Sequence, residues 1–198
     1  MSISGTITGL DGKKLTAKGD KVTVSGESVT ATLAVKGGTK ATVTVGMDGI
    51  SGSWNGAEIT AADVGGNWTR KDAKVYVDAE NLPAGTEEDL LPDGEPVLVK
   101  KGKWAFNKAA SVKLSKDKTK MERDTSKGKT NLSGLKLTYT PKTGLFKGSF
   151  KLYAKEGEGK KAKLKKYTVN VAGFVVDGVG YGTATCKKPS VKWAVTVE

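Results

Sequence analysis

The chain has 198 residues, 37% of them hydrophobic, and a net charge of +12. It contains no histidine and a single cysteine, Cys186, which excludes a Ser-His-Asp or Cys-His catalytic arrangement, a histidine-containing zinc site and an internal disulfide. The charge is divided unevenly: residues 1–99 carry nine Lys/Arg against fourteen Asp/Glu, a net of −5, and residues 100–198 carry twenty-four against seven, a net of +17.

The opening Met1-Ser2-Ile3-Ser4-Gly5-Thr6 has neither a basic start nor an apolar run of about 7–15 residues, so no signal peptide is expected. It opens directly in strand-like sequence, which points to a longer parent protein. No stretch approaches the roughly 18 apolar residues of a membrane span. From residue 21 onward, period-2 alternation dominates. Val22 and Val24 alternate with Lys21 and Thr23; Val29, Ala31, Leu33 and Val35 follow; then Ala41, Val43 and Val45 alternate with Thr42 and Thr44. Successive strand side chains point to opposite faces, so each run has one core face and one wet face. Asp11-Gly12, Asp48-Gly49, Asn55-Gly56 and Asp177-Gly178 punctuate the runs. Such dipeptides favour type I′ hairpin turns, so the pattern predicts antiparallel meanders.

In chain order, the spacing predicts strands at 3–8, 13–18, 21–26, 29–36, 40–46, 49–54, 57–60, 73–78, 97–99, 102–106, 110–115, 134–140, 145–154, 163–173, 176–185 and 190–197. Residues 80–96 hold three of the five prolines and an acidic cluster; they read as a linker with one helical turn at 87–91. Residues 116–133 have almost no apolar content and read as an exposed loop. Lys40–Val45 with Asp48–Trp54 parallels Lys166–Val171 with Asp177–Thr183, which suggests an internal duplication. The expected architecture is all-β: two related small barrels or sandwiches, or one packed unit, with an N-terminal meander at 1–79, a linker at 80–96 and a C-terminal meander at 97–198.

Candidate sites are few. The carboxylates fall mostly in turns (Asp11, Asp20, Asp48, Asp177), where they bond the local backbone, or in the acidic stretch Glu87, Glu88, Asp89, Asp93 and Glu95. No Asp-x-Asp-x-Asp-Gly calcium loop is present. Neither a catalytic residue, a metal site nor a cofactor is expected. Aromatic planes can stack on sugar C–H faces; Trp54, Trp68 and Tyr181 are the candidates, whereas Trp193 shares its face with Val191 and Val195 and belongs to the core. The basic run Lys151–Lys166, which contains Lys151, Lys155, Lys160, Lys161, Lys163, Lys165 and Lys166, reads as a hairpin tip that is either a solvated turn or a polyanion contact. Arg is limited to Arg70 and Arg123, which weighs against nucleic acid, because bidentate Arg is the preferred reader of phosphate and bases. Cys186, between Thr185 and Lys187, is expected to be a buried strand cysteine.

One resemblance stands beside this reading. Thr143-Gly144-Leu145-Phe146-Lys147-Gly148-Ser149-Phe150, then Lys166-Tyr167-Thr168-Val169-Asn170-Val171-Ala172-Gly173, then Gly178-Val179-Gly180-Tyr181-Gly182 resemble a recurring C-terminal module of uncharacterised, exported bacterial proteins. The likeness covers residues 132–198. It implies a barrel-like or sandwich module at the end of a larger secreted or surface protein, with no assigned catalytic residues. The expected function is a non-enzymatic structural or adhesive module, extracytoplasmic in its parent protein. The alternatives are a carbohydrate-binding module with a glycan or other surface polymer as partner, and a polyanion binder using the basic half.

Overall fold

The structure is a computed structural model that describes residues 4–8, 14–36, 38–47, 49–60, 73–100, 103–188 and 190–198. These residues form an all-β protein of antiparallel sheets with two single-turn 3₁₀ helices. The strands fall into two compact units, divided between residues 63 and 64.

The first unit is a six-stranded meander in sequential order: β1 (Ser4–Thr8), β2 (Lys14–Ser25), β3 (Ser28–Val35), β4 (Thr39–Gly46), β5 (Gly49–Trp54) and β6 (Ala57–Thr60). Two segments expected as separate strands are one, β2, interrupted by a bulge where the register shifts between Gly19 and Lys21. Register puts the alternation to use. Val24, Val29, Val45 and Ile50 form one cross-strand row; Val22, Ala31, Val43 and Gly52 form the next; Leu33, Ala41 and Trp54 form a third. Residues directly opposite share a face, so these rows make one apolar face. Thr23, Thr30, Thr44 and Ser51 make the other, and there the Thr30 and Thr44 hydroxyls pair at 3.0 Å. The buried part of the apolar face consists of Ala17, Ala31, Leu33, Val35 and Ala41. Its far end is open: Val24 is 63% exposed and Ile50 44%.

The second unit contains an eight-stranded sheet of half-barrel curvature. Its strands are β7 (Ala73–Asp78), β8 (Asp93–Lys100), β9 (Lys103–Ala105), β12 (Lys136–Thr140), β13 (Leu145–Glu156), β14 (Lys163–Val176), β15 (Val179–Lys187) and β16 (Ser190–Val197), in the spatial order β12-β13-β14-β15-β16-β7-β8-β9. A separate hairpin joins β10 (Ser111–Leu114), the strand expected at 110–115, to β11 (Met121–Asp124), which lies within the stretch expected to be a loop.

The core of the half-barrel is aromatic. The indole of Trp104 on β9 stacks on Tyr139 of β12, centroids 5.0 Å apart and nearly parallel, so side chains bridge the two end strands of the sheet. Trp104 also meets Phe146 at 5.2 Å. Phe146 in turn lies over a bed of glycines. An added Cβ would stand 2.5 Å from its ring at Gly173, 2.8 Å at Gly182 and 3.3 Å at Gly180. Two glycines of the Gly-x-Gly-Tyr-Gly stretch, Gly180 and Gly182, therefore have a packing reason: with Gly173 of β14 they make room for one ring, the pairing that stabilises strand glycines.

Strand β7 lies in this sheet, against β16, and residues 80–96 are built into the same unit. Glu87 N–H donates to the Tyr153 carbonyl at 3.0 Å, and Lys155 N–H to the Gly85 carbonyl at 3.0 Å. This segment takes up the edge of β13 beyond the point where β12 ends. It buries Leu90 and Pro92, and its single helical turn is the 3₁₀ turn Glu88–Leu90. A division of the chain at 80–96 therefore does not coincide with the compact units, because this stretch bonds β13 through Gly85 and Glu87 and pairs with β7 from Asp93 onward.

Candidate functional site: a lysine face on the half-barrel

Strand alternation gives the half-barrel a core face and an outer face. On β13 the core side carries Phe146, Phe150, Leu152 and Ala154, and the outer side Lys147, Ser149, Lys151, Tyr153 and Lys155. Carrying parity across the register extends the outer face over five strands. Lys136 opposes Ser149 and Thr138 opposes Lys147. Lys151 opposes Thr168 and Tyr153 opposes Lys166. Asn170 opposes Thr185, and Thr185 opposes Lys192; Lys187 ends β15 opposite Ser190.

The outer face of β12–β16 thus holds seven lysines (136, 147, 151, 155, 166, 187 and 192) and no Asp or Glu. Between the lysines stand Thr, Ser and Asn side chains. Among the described residues, carboxylates stand at its borders, with Asp78 on β7 beside Ala194 and Glu87, whose backbone pairs with Tyr153. Seven like charges on one face repel one another, and that repulsion is relieved by an anion.

The residues singled out from sequence are distributed as follows. Lys160 and Lys161 sit in an exposed 3₁₀ turn, Gly159–Lys161, at the tip of the β13–β14 hairpin. The Lys160 carbonyl accepts a bond from Lys118 Nζ at 3.2 Å. Lys163 and Lys165 take the opposite parity from Lys166 and face the carboxylate of Glu156, with which Lys165 forms an ion pair. Tyr167 OH donates to the same carboxylate at 2.5 Å. These bonds hold Glu156 below the usual carboxylate range and push Lys165 and Tyr167 up. The tip lysines are therefore split between an exposed turn and the face opposite the lysine surface, and Lys165 is neutralised.

Trp54 is half-buried in the first unit, packed against its aliphatic core, and its Nε1 donates to Thr39 Oγ1 at 3.0 Å. Trp68 lies outside the described residues. Tyr181 is 44% exposed and stands on the outer face in a row with Leu145, Phe174, Thr196 and Tyr76. The structure brings Tyr181 beside the lysine face and leaves Trp54 in a different unit. Cys186 is buried, its thiol directed at the carbonyls of Lys188 (3.3 Å) and Thr168 (3.6 Å).

The acidic stretch forms no cage. Arg123 Nη2 bonds the Asp89 carbonyl at 3.1 Å and stands 3.8 Å from its carboxylate. Among the described residues no group of three or more metal-ligating side chains comes together. Asp117 bonds the Ser115 and Thr119 hydroxyls and the Thr119 N–H, and Asp124 bonds Ser126; both carboxyls are held below their ordinary range by these bonds.

Lys136, Lys147, Lys187 and Lys192 were overlooked, and Lys151, Lys155 and Lys166 were read only as members of one basic run, because sequence reasoning grouped lysines by runs along the chain. The usable signal was parity: Lys147, Lys151 and Lys155 recur at four-residue spacing on a strand, which places them on one face. The fold and this face define an antiparallel all-β meander protein with one strongly cationic sheet surface. No protein-family model, no curated protein and no solved structure matches the chain.

Proposed function

We propose that the chain is a non-enzymatic adhesive module that binds an acidic polysaccharide through the outer face of β12–β16. The observation that carries this reading is the seven-lysine, carboxylate-free surface. Lysine ammoniums act as point charges suited to scattered sulfate or carboxylate groups, whereas reading nucleic acid favours Arg forks and stacked aromatics. The face carries no Arg, and Tyr181 is its one aromatic residue with substantial exposure. The intervening Thr, Ser and Asn side chains suit sugar hydroxyls.

The chain has no histidine, and the carboxylates with shifted titration sit in local bonds that favour their ionised form. Glycosidase chemistry needs one carboxyl with a raised pKa as general acid. Among the described residues, the carboxyls of Asp117, Asp124 and Glu156 are shifted downward, and Asp89 is engaged by Arg123. The resemblance of residues 132–198 to a C-terminal module of exported bacterial proteins favours a cell-surface setting, where acidic polymers abound.

The test is the binding of the full chain to an immobilised sulfated polysaccharide, a neutral one and duplex DNA across a salt series. The expected result is retention on the sulfated polymer alone. With several charge contacts released together, affinity falls roughly 10³-fold between about 50 and 200 mM salt. Binding no tighter than that of a charge-matched unrelated protein, or a preference for DNA, overturns the reading.

A further inference from the structure

The lysine face is concave where the segment leading into β10 approaches it. A groove of about 480 Å³ opens where the segment leading into β10 runs beside the outer surface of β12–β14. That volume lies within the roughly 300–1,000 Å³ of small-ligand sites. Three of the seven lysines line it: Lys136 from β12, Lys151 from β13 and Lys166 from β14. Their positions follow from register. Lys136 opposes Ser149, and Lys151 is two residues further along the same strand; Lys151 opposes Thr168, and Lys166 is two residues before it. Each is thus the diagonal neighbour of the next, a relation that sets Cα atoms roughly 7–8 Å apart. Three ammonium groups on one diagonal converge on one groove.

The other lining groups are polar or modestly apolar. Ser149 and Tyr153 stand between the lysines, Ser111 and Val112 form the opposite wall, and no lining residue is acidic. Lys151 Nζ is oriented by a 2.6 Å bond to Thr168 Oγ1. Tyr153 is only 9% exposed, so its ring is a fixed surface rather than a mobile side chain. Gly134, with φ +66°, keeps that side of the groove free of a side chain; an added Cβ there would stand 3.6 Å from Ala109 Cβ and 3.9 Å from Lys151 Cγ. Fixed cations, two or three hydroxyls and one immobile ring surface suit a sugar ring bearing an oxyanion; an inorganic anion alone would use only the lysines.

We infer that this groove is the subsite for a single sulfated or carboxylated sugar unit, held by Lys136, Lys151 and Lys166 through its oxyanion and by Ser149 and Tyr153 through its ring. The inference rests on the polysaccharide reading above and adds to it a defined place. Of the other four lysines of the face, Lys155 bonds the Thr119 carbonyl at 3.1 Å, and Lys147, Lys187 and Lys192 supply only long-range attraction to the rest of the polymer.

The experiment uses the intact isotope-labelled chain, titrated with a sulfated disaccharide, a uronic-acid disaccharide and inorganic sulfate, each followed by amide shifts. Polymer affinity is measured in parallel. The expected result is saturable shifts confined to residues near 109–112, 134–136, 149–153 and 166 with one or both disaccharides; the arm that saturates identifies the oxyanion. Replacing Lys136, Lys151 and Lys166 together by Gln should weaken disaccharide binding by about tenfold or more, because charge-assisted bonds are the strong ones. Replacing Lys147, Lys187 and Lys192 should leave it within about twofold, since exposed single charges contribute little, while still weakening the polymer. Polymer binding with scattered, non-saturating disaccharide shifts, equal effects of the two triple variants, or inorganic sulfate shifting the groove as strongly as either disaccharide overturns the groove and leaves the polysaccharide reading standing. Absence of polymer binding removes both. The shift map on the unaltered chain decides the matter even if a triple variant fails to fold.

Discussion

The six-stranded sheet and the half-barrel are written in the same alternating pattern, yet they bury very different material. The first unit's buried cluster is Ala17, Ala31, Leu33, Val35 and Ala41. The half-barrel's includes Trp104, Tyr139, Phe146, Phe150 and Trp193 as well as its aliphatic residues. Alternation fixes which way a side chain points; volume fixes how much apolar surface leaves water. At roughly 25 cal/mol per Å², a face of alanines gains little, and its outer row, Val24 to Ile50, stays wet. A face of rings fills the space enclosed by a curved sheet, and glycines at 173, 180 and 182 let the largest contact close. The difference teaches that curvature in this protein follows from ring-on-glycine packing, which a period-2 pattern does not report.

The largest expected effect comes from breaking that contact. Phe146 is fully buried between Trp104 and the glycine bed. Phe146→Ala should cost about 3–5 kcal/mol, the transfer and cavity cost of a buried ring. Leu33→Ala in the six-stranded sheet should cost about 2–3 kcal/mol, the lower end of its class, because its cross-strand neighbour Ala41 adds little surface to lose. Denaturant melts read by unit-specific probes check both. Equal losses at the two sites would erase the contrast between the cores.

Much of the fold was legible. Strand positions followed from alternation, and Asn55-Gly56 and Asp177-Gly178 both carry the positive φ pairs of type I′ turns, 49° with 79° and 48° with 78°. Strand β11 was not legible because its residues, Met-Glu-Arg-Asp, offer a single apolar side chain; it exists as the partner of β10, with Met121 opposite Leu114. The acidic stretch at 80–96 looked like a linker because composition does not reveal that its backbone completes the β13 edge. Of the candidate site, Tyr181 was visible as an exposed aromatic. The lysine face was not, since it is assembled from five strands and needs register as well as parity. Lys163 and Lys165 looked equivalent to Lys166 in sequence, although one step along a strand reverses the face.

The tip of the β13–β14 hairpin offers a second, smaller contrast, between a lysine that is neutralised and those that are not. Glu156 bonds Lys165 and Tyr167. Tyr167 and Lys165 both have folded pKa values raised above 10.0 and 10.5. Their contribution to stability is therefore fully present below about pH 10 and is lost as pH rises through the raised values. Glu156 is lowered from 4.5, so its contribution is present above that value and is lost as pH falls through the lowered one. Glu156→Gln should move the Tyr167 titration back toward its ordinary value, lower stability modestly at neutral pH, where these exposed bonds are fully formed, and flatten the alkaline limb. Ring-proton shifts of Tyr167 against pH measure the first. An unmoved titration in the variant would mean that the carboxylate does not govern the tip.

The smallest effect is expected where the aliphatic face runs out. Val24 begins a row that continues through Val29 and Val45 to Ile50, but it is itself 63% exposed. Threonine keeps the β-branched shape suited to a strand and exchanges one methyl for a hydroxyl that solvent can satisfy. Val24→Thr should change stability by no more than about 0.5 kcal/mol, as for surface sites free of special contacts. The same swap at a buried position would strand a hydroxyl at a cost of about 1–3 kcal/mol. The pair Val24→Thr and Val35→Thr therefore reads the gradient along one sheet face directly. A loss at Val24 as large as that at Val35 would mean that the open row is covered in solution, and the weak core of the six-stranded sheet would then be only half of a larger one.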